Sequence, residues 1–240
     1  MSQIEKAQLL RRLHLEPPIL VLPNAWDVAS ARKLAEVPGC RALATSSGAM
    51  ARSLGFEDGE NAPAPIMIES SSKIAAAVDI PVTADLEAGY GDPVWTAQSA
   101  WEGGVVGINF EDSRKRVLQD IDEQAALVAV IREAVPELVI NARVDTFLHG
   151  DGSVDEAVER ANAYLSAGAD CAYPIFCPTA AIAELAGRID GPINVLITPE
   201  TPGVPELAAL GVARATWGAS MAALAYAEAA RVAAHAISGG

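Results

Sequence analysis

Short apolar runs rich in β-branched residues recur along this chain, and each is followed by a longer alanine-rich segment with helical spacing. The runs lie at 19–23, 42–46, 82–87, 106–111, 139–145, 171–175, 193–198 and 214–217. The segments between them, at 26–36, 66–78, 93–103, 121–134, 154–167, 179–186, 205–210 and 219–236, read as helices. Asp92-Pro93 is an N-cap followed by proline at the first helical position. Ser153 stands three residues before Glu156, a capping-box spacing. Gly39, Gly168 and Gly211 fall where a left-handed C-cap belongs. Eight strands alternating with eight helices is the count of a closed (β/α)8 barrel, here expected as a single domain over residues 1–240. An open doubly wound sheet would usually have fewer strands and a glycine-rich first turn, whereas the first turn here is VLPNAWD.

The apolar content is 51% of residues with only 5% aromatic, a mixture suited to helices packed on a buried parallel sheet. The formal net charge of −14 repels phosphate backbones and anionic lipid, so neither nucleic acid nor a membrane surface is an expected partner. Cys40, Cys171 and Cys177 are odd in number and irregular in spacing, which does not suggest a disulfide framework. The charged, amphipathic start MSQIEKAQLLRRLHLE has no long apolar run. The expected setting is reducing, soluble and cytoplasmic.

The stretch TADLEAGYGD places Asp85 and Glu87 two residues apart at the end of a strand. Strand side chains alternate, so the two share a face, and Glu111 at the end of the next strand, GINFED, converges on them. Unpaired carboxylates in such a cluster raise each other's pKa. A hard divalent cation removes the conflict, and Mg2+ suits one or two carboxylates plus water and substrate oxygens. The alternative is a solvated strand end with capping aspartates. In VINARVDTF, Asn141, Arg143 and Asp145 share a face. Arg143 can clamp a substrate carboxylate or serve an internal salt bridge with Asp145 or Glu111, and such a bridge would orient the fork. Ser46, Ser47 and Gly48 in TSSG can present hydroxyls and N–H groups to an anion, and Asn194 in PINVLIT can face inward. Residues 50–65 form the one long insertion, on the face where barrels keep their sites. His149 lies just past strand five, and the basic run Arg114-Lys115-Arg116 just past strand four.

PNAWD, TSSG, SLGFEDG, TADLEAGYGD, GINFEDS, NARVDTF, the AGAD turn and PINVL, in this order and spacing, resemble the isocitrate lyase / phosphoenolpyruvate mutase superfamily over most of the chain. The resemblance implies a (β/α)8 barrel that commonly exchanges its last helix in dimers or tetramers. It implies Mg2+ held, partly through water, at Asp85, Glu87 and Glu111 with Asp58 nearby. It further implies a substrate carboxylate bound by Ser46, Ser47, Gly48 and Arg143. Asp58, Glu111 and Arg143 are the expected catalytic residues and Asn194 a further substrate contact. The substrate would be a small anionic 2-oxo or 2-hydroxy carboxylate, and the step would make or break a C–C or P–C bond through a metal-held enolate. The chain also departs from that pattern. Where lyase members carry Lys-(Lys/Arg)-Cys-Gly-His, it reads SRKRVLQDID, without Cys or His, so classical isocitrate lyase activity is not expected. Mutase members have a longer gating loop with Lys and Asn. Glu87 replaces a common Asp, and little chain follows the last helix. A non-catalytic binder of 2-oxo acids is the alternative. A Schiff-base aldolase is disfavoured, because Lys6, Lys33, Lys73 and Lys115 all lie outside strands near the mouth. Arg143→Ala is expected to abolish carboxylate binding and to leave the fold nearly intact.

Overall fold

A computed structural model describes residues 1–239. The eight strands are parallel and close into a barrel. Strand β1 covers Leu20–Leu22 and, past Pro23, Asn24–Ala25. It is followed by β2 (Leu43–Thr45), β3 (Val82–Asp85), β4 (Gly107–Glu111), β5 (Val139–Val144), β6 (Cys171–Pro174), β7 (Asn194–Leu196) and β8 (Arg214–Thr216). Leu22 pairs with Thr216 of β8, and Asn24 pairs with Ala44 of β2. Pro23 has no N–H to give, so the strand changes partner there without losing a ladder bond. An Ala172–Ile193 bridge joins β6 to β7 and completes the ring.

The helices are α1 (Gln3–Leu13), α2 (Val28–Ala35), α3 (Ser47–Ser53), α4 (Ala64–Ala76), α5 (Pro93–Glu102), α6 (Ile121–Ala134), α7 (Thr146–His149), α8 (Val154–Ser166), α9 (Ile182–Arg188), α10 (Val204–Ala209) and α11 (Ser220–Ile237). Asp92 and Ser153 accept the N–H groups of Trp95 and Glu156, as their spacing requires. The outer core lies between strands and helices, where Leu43, Met67, Ile108, Ile131, Ile140 and Leu185 are buried together.

Helix α1 was not foreseen as an element. A reciprocal capping box of Ser2 and Glu5 starts it. Its stripe Ala7, Leu10 and Leu13 packs on Leu20, Leu22, Val106 and Val139 and plugs the N-terminal end of the barrel. Gly107 permits this approach, since a Cβ there would stand 2.9 Å from Leu10 Cδ2. Inside the lumen lies Arg214, fully buried, with Nη2 donating to Asn109 Oδ1 at 3.2 Å.

His14, the C-cap of α1, is buried, and its Nδ1 lies 2.8 Å from the Leu10 carbonyl. Burial first, and then the Arg214 charge, push its pKa down to about 4. The folded state therefore keeps it neutral while an unfolded chain takes up a proton near pH 6.5. Stability is lost as pH falls through that window, by about 1.4 kcal/mol per unit. Buried acids whose pKa is raised, such as Glu87 and Asp112, act in the opposite sense. The check is therefore a difference measurement. Urea unfolding at pH 7 and pH 5 should show wild type losing about 2 kcal/mol more than His14→Gln. Equal pH dependence would refute the assignment.

Candidate active site

At the C-terminal end of the strands lies a cavity of about 1120 Å3. Ser46, Ser47, Gly48, Asp58, Asp85, Glu87, Glu111, Arg143 and His149 line it. Asn194 does not. It opens β7 one layer deeper in the lumen, fully buried, with its Oδ1 accepting from Thr216 Oγ1 at 3.3 Å. Its inward direction holds, and its side chain is not on the cavity surface.

Asp85 ends β3, and one of its oxygens is spoken for. Oδ2 accepts the Ser47 N–H at 3.0 Å and the Ser47 hydroxyl at 2.7 Å. Ser47 thus orients Asp85 with both its N–H and its hydroxyl. Ser46 caps α3 through the Ala49 N–H at 3.4 Å. The other oxygen, Asp85 Oδ1, is buried and has no hydrogen-bond partner among the described residues. Gly48 leaves room for Asp58, since a Cβ there would lie 2.5 Å from Asp58 Oδ2 as it stands. That contact places the Asp58 carboxylate directly over the TSSG turn.

Glu87 does not reach the cavity by strand alternation, because β3 stops at Asp85 and Glu87 has a left-handed φ of 52°. Its carboxylate is held by residues the sequence reading missed. Oε2 accepts the Glu60 N–H at 2.5 Å and Oε1 accepts the Tyr90 hydroxyl at 2.8 Å. Glu60 Oε1 in turn accepts the Tyr90 N–H at 2.5 Å. Glu60 and Tyr90 are also left-handed, with φ of 60° and 53°. Three non-glycine residues in that region, bonded to one another, concentrate strain where the long loop meets the β3 exit. Helix α3 absorbs the start of that insertion, so only residues 54–63 form the loop.

Arg143 is paired on both sides. Nε and Nη2 donate to Asp145 at 2.6 and 2.9 Å, and Nη1 donates to Glu111. The internal bridge and the placement on the cavity wall hold together. A guanidinium has five N–H groups, so one on each terminal nitrogen remains for a ligand. Burial, with Asp85 and Asp58 adding to it, pushes Glu87 up to about 7. Burial also raises Glu111, with Arg143 opposing and Asp85, Asp145 and Glu87 reinforcing.

These carboxylates face one cavity, yet among the described residues no three His, Cys, Asp or Glu side chains form a metal cage. Asp85, Glu87 and Glu111 share the cavity as expected from the strands, but two of them are turned to other partners. Glu111 turns to Arg143, and Glu87 turns to Tyr90 and Glu60. The unpartnered Asp85 oxygen beside several acids still fits a hard divalent cation that keeps water between itself and most of its carboxylates.

The segment after β4 is a β-hairpin, a second feature absent from the sequence reading. Ser113–Arg114 pair antiparallel with Val117–Leu118, and Lys115 and Arg116 form the turn with φ of 49° and 66°. Arg114, Lys115 and Arg116 line the cavity and form no salt bridge among the described residues. Turns of this geometry favour Asn-Gly, so the Lys-Arg pair left no ordinary hairpin signal.

A family model described as phosphoenolpyruvate phosphomutase matches residues 10–237. The 2-methylisocitrate lyase of Bacillus subtilis is 30% identical over 72% of this chain, which spans 60% of that enzyme's length. A Burkholderia cenocepacia J2315 protein, described as a candidate phosphonomutase, has a crystal structure with a TM-score of 0.90. The two are 38% identical over 95% of this chain and 99% of that one. A phosphonopyruvate hydrolase crystallised with oxalate and Mg2+ shares the fold at a TM-score of 0.86 and 23% identity, over 98% of this chain and 88% of that one.

Proposed function

From its membership of the isocitrate lyase / phosphoenolpyruvate mutase superfamily, to which this chain belongs, we propose a Mg2+-dependent lyase-type enzyme for a small 2-oxo or 2-hydroxy carboxylic acid, cleaving a C–C or P–C bond. The carrying observation is the buried, unpartnered Asp85 oxygen in a cavity that also holds the Arg143 fork. Asp85 would hold the cation, with Glu87, Glu111 and Asp58 reaching it through water. When bound, Mg2+ supplies Lewis-acid stabilisation of charge developing on a substrate oxygen.

The chain's own residues divide the remaining work. Arg143, fixed by Asp145 and Glu111, offers its two free N–H groups to the carboxylate. Arg114, Lys115 and Arg116 bring positive charge to the cavity wall of an otherwise acidic protein and favour an anionic substrate. The expected setting is cytoplasmic. Among the described residues no helix is long and apolar enough to cross a membrane.

The test is turnover of a panel of 2-hydroxy di- and tricarboxylates and phosphonopyruvate, with calorimetric binding of oxalate, each with and without Mg2+. Mg2+-dependent turnover of at least one member is expected. The hairpin, which lacks the Cys and His of the lyase loop, favours one second reading, a 2-oxo acid binder. Oxalate binding without turnover would select that reading. Absence of both turnover and Mg2+-dependent binding would remove the proposal.

Helix α11 bears on assembly. Ala222 is its one buried residue, while Leu224, Tyr226, Val232 and Ile237 are more than half exposed. So apolar an exposed helix face fits one covered by a second copy of the chain. Sedimentation should give at least twice the 24.9 kDa chain mass, and Leu224→Glu with Val232→Glu should reduce it. A wild-type monomer would count against exchange.

A further inference from the structure

Behind the cavity wall, and not themselves lining the cavity, lie Asp112, Arg160 and Tyr164. Asp112 follows Glu111 at the exit of β4 and is fully buried, while Arg160 and Tyr164 of α8 are 6% and 1% exposed. Asp112 Oδ1 accepts the backbone N–H of Asp145 at 2.8 Å. Its Oδ2 accepts the Tyr164 hydroxyl at 2.9 Å and Arg160 Nη1 at 3.3 Å. Arg160 Nη1 also donates to the Gln119 carbonyl at 2.8 Å, and the Gln119 N–H donates to the Asp112 carbonyl at 2.8 Å. Arg160 Nε is tied to Glu156 at 2.8 Å.

These bonds run to two places. Through the Asp145 N–H they set the position of the carboxylate that grips Arg143 by two bonds. Through Gln119 they anchor the base of the hairpin that carries the basic trio, and Ser113 of that hairpin donates to Asp145 as well. A buried ion pair adds little net stability, and an apolar pair of similar volume could fill the same space. An apolar pair could not fix the direction of a carboxylate and a peptide plane together.

We propose that Asp112, Arg160 and Tyr164 are positioning residues that hold the Arg143 fork and the basic hairpin in register with each other. This rests on the reading of Arg143 as the carboxylate clamp. The network links α8 to the site through bonds that run by way of Asp145 and Gln119, so its loss loosens the site without removing any group that touches substrate.

The experiment uses the full chain with Tyr164→Phe, which keeps the ring, and Arg160→Met. Oxalate binding is measured by calorimetry in saturating Mg2+, and backbone hydrogen exchange is followed over 113–119 and 145–149 without ligand. Each variant should weaken oxalate about tenfold and speed exchange in both segments. Wild-type affinity and wild-type exchange in Tyr164→Phe, whatever its melting temperature, would overturn the proposal and leave only a structural role. If wild type itself fails to bind oxalate, the clamp reading falls. The exchange measurement then decides the positioning role alone: faster exchange in both segments sustains it and unchanged exchange ends it. Should Arg160→Met not fold, Tyr164→Phe carries both readouts.

Discussion

Replacing Arg143 with alanine is expected to lower the melting temperature by roughly 10 °C and to weaken oxalate binding by at least about a hundredfold. The sequence reading expected a nearly intact fold. The ion pairs argue for a larger stability cost, because the guanidinium is the shared counter-charge of Glu111 and Asp145, and Asp145 is completely buried. Removing one partner of a buried pair costs about 3–5 kcal/mol, since the remaining charges stay desolvated. Arg143→Lys keeps the charge and loses the planar fork, so it should recover more stability than oxalate affinity. Differential scanning calorimetry and oxalate titration on the same samples separate the two effects. A lower melting temperature with unchanged affinity would make Arg143 a structural residue and remove the clamp.

The Asp85→Asn variant should behave in the opposite way, stable without Mg2+ and blind to it. Asp85 raises the pKa of Glu87 and Glu111, so neutralising it relieves repulsion in the cluster. Asparagine can still accept one Ser47 bond through its Oδ1. Its stability in a chelator should therefore match or exceed that of wild type. Mg2+ at a hundred times its dissociation constant should add about 2.7 kcal/mol to wild type and nothing to the variant. Turnover should fall by about three orders of magnitude, the scale for losing a principal electrostatic stabiliser. Equal Mg2+ stabilisation of both proteins would place the cation elsewhere and sink the assignment of Asp85, Glu87 and Glu111.

Much of the barrel could be read directly, because its strands and helices advertise themselves locally. Asp92, Ser153 and the turn glycines act within a few residues, and the apolar periods act within one element. What escaped was short or irregular. Helix α7 spans only Thr146–His149, α3 hides inside a serine-rich turn, and the hairpin turn uses Lys115 and Arg116 where glycine or asparagine is usual. Helix α1 was visible as an amphipathic segment, but its role as a plug needs the barrel beneath it.

For the site, Asp85, Glu87, Glu111 and Arg143 stood out as acids and an arginine near strand ends, Asp58 came only from the family resemblance, and all five line one cavity. Their partners did not stand out. That Ser47 grips Asp85, that Glu60 grips Glu87, and that Arg160 and Tyr164 hold Asp112 follows from contacts between residues 27 to 52 positions apart, while Tyr90 reaches Glu87 from three residues away through left-handed backbone. Asn194 shows the same limit, since its inward direction follows from alternation but its depth follows from β-register. Local chemistry settles which backbone shape each segment prefers. Ring closure and strand stagger settle which charges meet, because Coulomb energy and hydrogen bonding depend on distance in space and carry no trace in sequence separation.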